Sequence, residues 1–267
     1  MKPGSCLLTF FSIITVLSCS DKDPSPVCKT HALTYDTDSV VYTYADGRIK
    51  TVLYYGSGIL MNRDDVMYNS AGQPTDLSKI NVGADGSTSV DSYHSLVYDN
   101  NRPSQLITDS YAGHFTTTFG YDENNRLTTA ETTSGYNQAF VGRTRYEYDA
   151  NGNIPKVYYT LNVLGTTKEV LARENTSFDS REKFYNETPE LKVLNEYVYG
   201  YLPNKNNCLG STVYYYSYAQ HFSSPLSITF IATYDDEGQI KSLQTEGQNT
   251  RLYSGEVLFK NVIYDCN

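Results

Sequence analysis

A short motif recurs along the chain, and it limits the possible folds more than any other feature. Each copy begins with a tyrosine, continues through turn-forming residues such as Asp, Asn and Gly, and ends with two apolar positions three residues apart. The six copies begin at Tyr44, Tyr68, Tyr98, Tyr121, Tyr148 and Tyr234. The first five starts are 23 to 30 residues apart, and residues 178–181 form a degenerate copy within the longer last interval. This recurrence predicts that each copy is one supersecondary unit.

Each copy has the pattern of a β-hairpin, in which an aromatic residue ends one strand and an apolar residue opens the next. The pair Asp46-Gly47 predicts a two-residue type I′ turn. The longer copies place a residue suited to left-handed backbone before the return strand, namely Gly72, Asn125, Gly152 and Gly238. Because positions three apart do not share a face of a regular strand, the paired apolar residues predict a bulge or a change of buried face after the turn.

The motif resembles the YD repeat of Rhs-type proteins, whose core is Tyr-Asp-x-x-Gly-Arg-Leu. Residues 121–127 are the nearest copy, whereas Pro74 and Pro103 replace the leucine, and Gln73, Asn153 and Gln239 replace the arginine. Similar repeats occur in surface lipoproteins of gut Bacteroidales with no assigned activity, and the chain looks like one of these. The resemblance implies a repetitive β-sheet. The chain is too short for the shell and enclosed toxin of the large relatives.

Hairpins joined in series predict an all-β fold, an antiparallel up-and-down meander whose sheet is either open and twisted or partly curled. One short helix is expected near residues 189–199. Thr188 is its expected N-cap, Pro189 occupies the first turn, and Gly200 ends it. Strands should resume at residues 211–219, 226–234 and 256–264.

The N-terminus has the pattern of an export signal. An apolar run at residues 6–17 has the length of a signal-peptide core and ends in Val16-Leu17-Ser18-Cys19, which resembles the bacterial lipobox. This resemblance implies a signal peptide at 1–18, a lipidated tether at 19–27 that begins at Cys19, and a single β-repeat domain at 28–267. An ordinary secretory signal is the alternative.

The acidic tract at residues 20–23 resembles the surface-export signal of Bacteroidota lipoproteins, although a plain solvated tether has the same composition. The expected location is the outer membrane, with a lipid anchor and the domain facing the cell exterior. Cys28, Cys208 and Cys266 then remain in the domain. Three thiols cannot all pair within one chain, and any of the three possible bridges is compatible with the sequence.

The sequence contains no recognisable catalytic motif, and no cofactor is expected. Its four histidines form neither HExxH nor an HxH pair, so no metal site is predicted. Acidic residues are expected to cluster at turns, as in Asp64-Asp65, Asp122-Glu123 and residues 235–237, and a hydrolase would need two such carboxylates across a cleft. The formal net charge of −9 argues against nucleic acid as a partner.

Two features suggest binding or modification. Tyr214, Tyr216 and Tyr218 alternate along one strand, so they form either a stacking platform for sugars or proteins, or part of the core. Ser39, within Asp38-Ser39-Val40, matches a short O-glycosylation motif of Bacteroidota. The leading expectation is a non-catalytic surface lipoprotein that binds a glycan or a partner protein. The alternatives are a glycan hydrolase and a structural spacer of the envelope.

Overall fold

A computed structural model describes residues 28–135, 139–163, 166–214, 225–246 and 258–266. The described residues form an all-β fold, as predicted, with sixteen antiparallel strands in one sheet. The strands are β1 (Cys28–Tyr35), β2 (Asp38–Ala45), β3 (Arg48–Gly56), β4 (Ile59–Tyr68), β5 (Pro74–Val82), β6 (Thr88–Asp99), β7 (Arg102–Ser110), β8 (Gly113–Tyr121), β9 (Leu127–Ser134), β10 (Phe140–Glu147), β11 (Lys156–Val163), β12 (Thr166–Glu182), β13 (Asn206–Val213), β14 (Leu226–Tyr234), β15 (Ile240–Thr245) and β16 (Asn261–Cys266).

The sheet is nearly closed and barrel-like, so the curled alternative is the correct one. Strands β1 to β15 follow one another in sequence order, and β16 returns to pair with β1. Immediately before β16, Phe259 forms a bridge with Leu243 of β15. Residues 258–266, called the closing segment below, therefore contact both ends of the meander.

The turns have the predicted geometry. Asp46 and Gly47 have φ angles of 50° and 78°, as a type I′ turn requires. All four positions predicted to be left-handed have positive φ: Gly72, Asn125, Gly152 and Gly238. In the longer turns, the polar residue after the repeat tyrosine holds the loop by hydrogen bonds to its backbone. In the copy that begins at Tyr121, Asp122 Oδ1 accepts hydrogen bonds from the backbone N–H groups of Asn124 and Arg126, both at 2.9 Å.

A bulge follows the turn, as the spacing of the apolar residues predicts. In the first copy Tyr44 pairs with Ile49 and Thr43 pairs with Thr51, which leaves Lys50 as the extra residue. Ile49 and Val52 are consequently both buried, each with 1% exposure. The bulge thus directs the side chains of Ile49 and Val52, which are three positions apart, toward the same core.

The repeat tyrosines join neighbouring hairpins. The hydroxyl of Tyr68 donates to the Ile49 carbonyl at 2.7 Å. In the same way Tyr98 donates to the Pro74 carbonyl and Tyr148 to the Leu127 carbonyl, and in each case the acceptor is the first apolar residue of the preceding copy. The repeat arginine adds a second contact: the guanidinium carbons of Arg102 and Arg126 lie 4.6 Å from the ring centres of Tyr121 and Tyr148. Each hairpin is therefore docked onto the one before it.

The degenerate copy at residues 178–181 keeps part of this arrangement. Asp179 Oδ1 accepts a hydrogen bond from the Arg181 backbone N–H at 3.0 Å. The Arg181 guanidinium lies 5.8 Å from the ring centre of Tyr234, and the Tyr234 hydroxyl donates to Asp179. The degenerate copy is thus joined to the sixth clear copy by an arginine–tyrosine contact of the same type.

The predicted helix is present, but it combines three types of helical turn rather than one regular α-helix. A 3₁₀ turn at Phe184–Glu187 precedes α1 (Pro189–Val193), a π-helical turn continues it over Leu194–Val198, and Gly200 follows with a φ of 71°. Thr188 is the N-cap residue, as predicted, but its side chain makes no capping hydrogen bond, and its Oγ1 is buried without a hydrogen-bond partner in the described part of the chain. No helix among the described residues has both the length and the apolar character needed to cross a membrane.

Residues 184–198, called the helical segment below, pack against the inner face of the sheet. Leu191 and Leu194 are each 1% exposed and share a core cluster with Ile49, Val52 and other apolar residues of the sheet. On another side, the Tyr197 ring meets the Phe119 ring edge to face, with the centres 4.9 Å apart. The segment therefore fills part of the space that the curled sheet encloses.

The turn glycine Gly72 provides a first test of the ladder. Gly72→Ala is expected to lower the free energy of unfolding by about 1 kcal/mol, because the φ of residue 72 is +82°. A further loss of about 0.5–1 kcal/mol is expected because the new Cβ would lie 2.6 Å from an Arg48 nitrogen and would move Arg48 away from the Tyr68 ring. Gly86→Ala is the matched control, since φ is +80° and nothing lies within 4 Å. Urea denaturation measures both, and equal losses would contradict a role for Arg48.

Candidate functional site

A cavity of about 440 Å³ lies between the end of the helical segment and strands β3 to β6. Six of its lining residues determine its chemistry: Tyr54, Asp64, Lys79, His94, Tyr199 and Tyr201. The remaining lining residues include Asn62 and Ser92. The cavity thus combines aromatic rings with charged and hydrogen-bonding groups, a lining typical of sites for small polar ligands.

Strand pairing brings the polar groups together. Asp64 of β4 lies opposite Lys79 of β5, and Lys79 lies opposite Ser92 of β6, so these residues form one row across three strands. His94 lies two residues beyond Ser92 and therefore on the same face of β6. Sheet register, rather than proximity in sequence, builds this wall.

Asp64 is fully buried, with 0% exposure. Its Oδ2 accepts hydrogen bonds from the hydroxyls of Tyr54, at 2.9 Å, and Tyr199, at 2.8 Å. Its Oδ1 has no hydrogen-bond partner within the described ranges. Burial raises the pKa of the Asp64 carboxyl above its ordinary value, while the two hydroxyls and Lys79 oppose this shift. The cavity wall therefore contains a buried acceptor atom whose hydrogen-bonding capacity is unused.

His94 is held by two hydroxyls. Its Nε2 lies 3.1 Å from Ser92 Oγ, and its Nδ1 lies 3.1 Å from Thr108 Oγ1. Burial lowers the pKa of His94, and the positive charge of Lys79 lowers it further. The imidazole is therefore neutral at pH 7, and Lys79 supplies the positive charge of the cavity.

The aromatic side of the cavity comes mainly from the residues that follow the helical segment. The rings of Tyr199 and Tyr201 meet at 60° with their centres 6.4 Å apart. Burial raises the pKa of both Tyr199 and Tyr54, so their hydroxyls remain protonated and act as donors to Asp64. Rings beside fixed donors and acceptors can hold a ligand that has both apolar faces and hydroxyl groups.

Of the residues predicted from the sequence for binding, glycosylation or lipidation, the two that the structure describes, Tyr214 and Ser39, do not line this cavity. Tyr214 follows β13, is half-buried, and its hydroxyl lies 3.5 Å from Glu174 Oε2. Ser39 is a half-exposed residue of β2, opposite Thr34 and Tyr55. Tyr216, Tyr218 and Cys19 lie outside the described residues. The binding face, the glycosylation of Ser39 and the lipidation of Cys19 stay predictions.

The acidic pairs need one correction. Asp64 and Asp65 are not turn residues, because they lie within β4, where Asp64 points to the inner face and Asp65 pairs with Arg63 at 3.0 Å. Asp122 and Asp235 do lie in turns, where each accepts hydrogen bonds from backbone N–H groups of its own loop. In the described ranges, no three His, Cys, Asp or Glu side chains are placed to hold a metal ion.

The cavity was missed in the sequence for a physical reason. The Tyr199 hydroxyl reaches Asp64 across 135 positions in the chain, and no local pattern encodes that contact. One feature of the sequence does indicate the site. Asp64 lies two and four residues before Val66 and Tyr68, the residues of β4 expected to face inward, so it shares their face of the strand. A carboxylate in phase with a repeat tyrosine therefore indicates a polar site on the inner face.

No protein-family model matches the chain, and no curated protein matches it. Among solved structures, it is similar to a porin-like protein from Bacteroides uniformis, with 13% identity, a TM-score of 0.45, and coverage of 85% of this chain and 86% of that one. It is also similar to the Tc holotoxin pore of Photorhabdus luminescens, with 13% identity and a TM-score of 0.34, covering 79% of this chain but 12% of that one. Because both TM-scores lie below 0.5, neither likeness assigns a function.

Proposed function

We propose that the protein is a non-catalytic surface lipoprotein that binds a glycan, and that the cavity beside the helical segment receives one end of that glycan. The observation that carries the proposal is the lining, in which the rings of Tyr199 and Tyr201 adjoin the buried Asp64 and the cation of Lys79. Sugars present C–H faces that pack on aromatic rings and hydroxyls that both donate and accept hydrogen bonds.

The buried carboxyl of Asp64 supports this ligand class. A sugar hydroxyl that donates to Asp64 Oδ1 would supply the partner that this atom lacks among the described residues. The amide of Asn62 and the ammonium of Lys79, both of which line the cavity, would act as donors to other sugar oxygens. The volume of about 440 Å³ suits one or two sugar rings rather than a folded protein.

The location is part of the same proposal. The lipobox-like sequence ending at Cys19 and the acidic residues after it would tether the domain by lipid to the outer membrane, facing the cell exterior. A surface position would give the cavity access to glycans outside the cell. The hydrolase alternative receives less support, since a glycosidase uses two carboxylates and Asp64 is the one carboxylate among the described residues that line the cavity.

Glycan-array screening of the purified protein tests the proposal. We expect retention of a restricted set of glycans, and we expect Tyr201→Ala to weaken the affinity for the best of them about tenfold, which corresponds to about 1.4 kcal/mol. Isothermal titration calorimetry would measure the change.

Tyr111→Ala is the matched control, because this tyrosine is 95% exposed, lies in the turn between β7 and β8, and is not among the described residues that line the cavity. Its affinity should equal that of the native protein, and circular dichroism should show that both variants are folded. Absence of any retained glycan, or an equal loss in the two variants, would contradict the proposal.

A further inference from the structure

The two ends of the described chain lie side by side in the sheet. Cys28 is the first residue of β1 and Cys266 is the last residue of β16. The antiparallel register pairs Cys28 directly with Cys266, followed by Lys29 with Asp265 and Thr30 with Tyr264. Two cysteines separated by nearly the whole domain are therefore direct cross-strand neighbours.

This register matches the geometry that a disulfide needs. Residues directly opposite each other in an antiparallel pair have Cα atoms about 4.5–5.5 Å apart. Disulfide-bonded cysteines have Cα atoms about 4.4–6.8 Å apart. The backbone therefore brings the two cysteines within bonding range without any rearrangement of β1 or β16.

The third cysteine is placed elsewhere. Cys208 lies in β13 and is fully buried, with its Sγ 3.2 Å from the Gly210 carbonyl and 3.5 Å from Asn175 Oδ1. In the order of the sheet, β14 and β15 separate β13 from the closing segment. At about 4.8 Å between neighbouring strands, this separation is roughly 14 Å, which is beyond disulfide range. Of the three pairings that the sequence permits, one fits the strand positions.

We propose that Cys28 and Cys266 form a disulfide bond and that Cys208 remains a thiol. The two thiols lose two protons and two electrons as the S–S bond forms, and the disulfide of a thiol–disulfide exchange partner is reduced to two thiols. The bond attaches the closing segment covalently to β1, the strand that follows the predicted tether. It thereby fixes the sheet at the point where its two ends meet.

Peptide mapping of the full-length protein tests the assignment. After oxidation with oxidised glutathione and non-reducing digestion, mass spectrometry should find a linked peptide that contains Cys28 and Cys266 and disappears on reduction. Iodoacetamide should label Cys208 only after denaturation, because that thiol is buried. A linked peptide containing Cys208, or labelling of Cys28 and Cys266 after oxidation, would overturn the proposal.

Thermal unfolding gives an independent measurement. Cys28→Ser and Cys266→Ser should each lower the Tm of the oxidised protein by about 5–15 °C, and the double variant should lose no more than either single one. Cys208→Ser is the control. In this variant the linked peptide that contains Cys28 and Cys266 should persist, even if the Tm falls. Additive losses at Cys28 and Cys266 would contradict the bond. None of these results depends on glycan binding.

Discussion

Leu194→Ala is expected to lower the free energy of unfolding by about 2–5 kcal/mol, among the largest effects of any single substitution in this chain. Leu194 is 1% exposed at the junction of α1 and the π-helical turn, and it belongs to the main core cluster with residues of β2 to β5. Truncation removes apolar contacts and leaves a void that packed neighbours cannot fill. Urea denaturation followed by circular dichroism measures the change.

Ile231→Ala is the control for this prediction. Ile231 lies in β14 and is 46% exposed, so loss of its side chain should change the free energy of unfolding by about 0.5 kcal/mol or less. If Leu194→Ala had an equally small effect, the helical segment would not be part of the core, and the cavity beside it would lose its inner wall.

The stability of Asp64→Asn relative to the native protein is expected to increase as the pH rises from 3.8 through the folded pKa of the Asp64 carboxyl. Burial raises the pKa of the Asp64 carboxyl above its ordinary value of 3.8, so the folded protein holds this proton more tightly than the unfolded chain. The stability from this group is fully present below pH 3.8. It is lost as the pH rises through the folded pKa, at up to about 1.4 kcal/mol per pH unit.

Asparagine cannot ionise, so the variant escapes this loss while its amide oxygen can still accept from Tyr54 and Tyr199. Urea denaturation at several pH values measures the difference between the variant and the native protein. The corresponding difference for Ile231→Ala, which changes no titratable group, should be independent of pH. A pH-independent difference for Asp64→Asn as well would show that the carboxyl ionises in the folded protein as readily as in the unfolded chain.

Local features of the fold could be predicted from the sequence because they depend on residues close together in the chain. The left-handed φ of Asn125 and Gly152 follows from their place in a short loop, and the bulge at Lys50 follows from the spacing of Ile49 and Val52. The repeated tyrosine lies at or next to the end of the strand that precedes each repeat turn. A meander is assembled from such local units, so the all-β prediction needed no long-range information.

Features that join distant residues could not be predicted in this way. Closure of the sheet depends on the pairing of β1 with β16, and the site depends on the contact between Asp64 and Tyr199. The tyrosines near residue 214 are prominent by composition alone, whereas the sequence pattern predicts Asp64 in a turn and the structure places it within β4. The sequence indicates which residues face inward, but the site forms only where the helical segment meets that face.

The closing segment has a consequence for biosynthesis. The ribosome makes β1 well before residues 258–266, so the outer edge of β1 has no partner until the closing segment has been made. Exposed strand edges readily pair with other chains, so a nascent or truncated polypeptide that ends before β16 is open to aggregation. Synthesis of the closing segment is therefore the step that protects that edge.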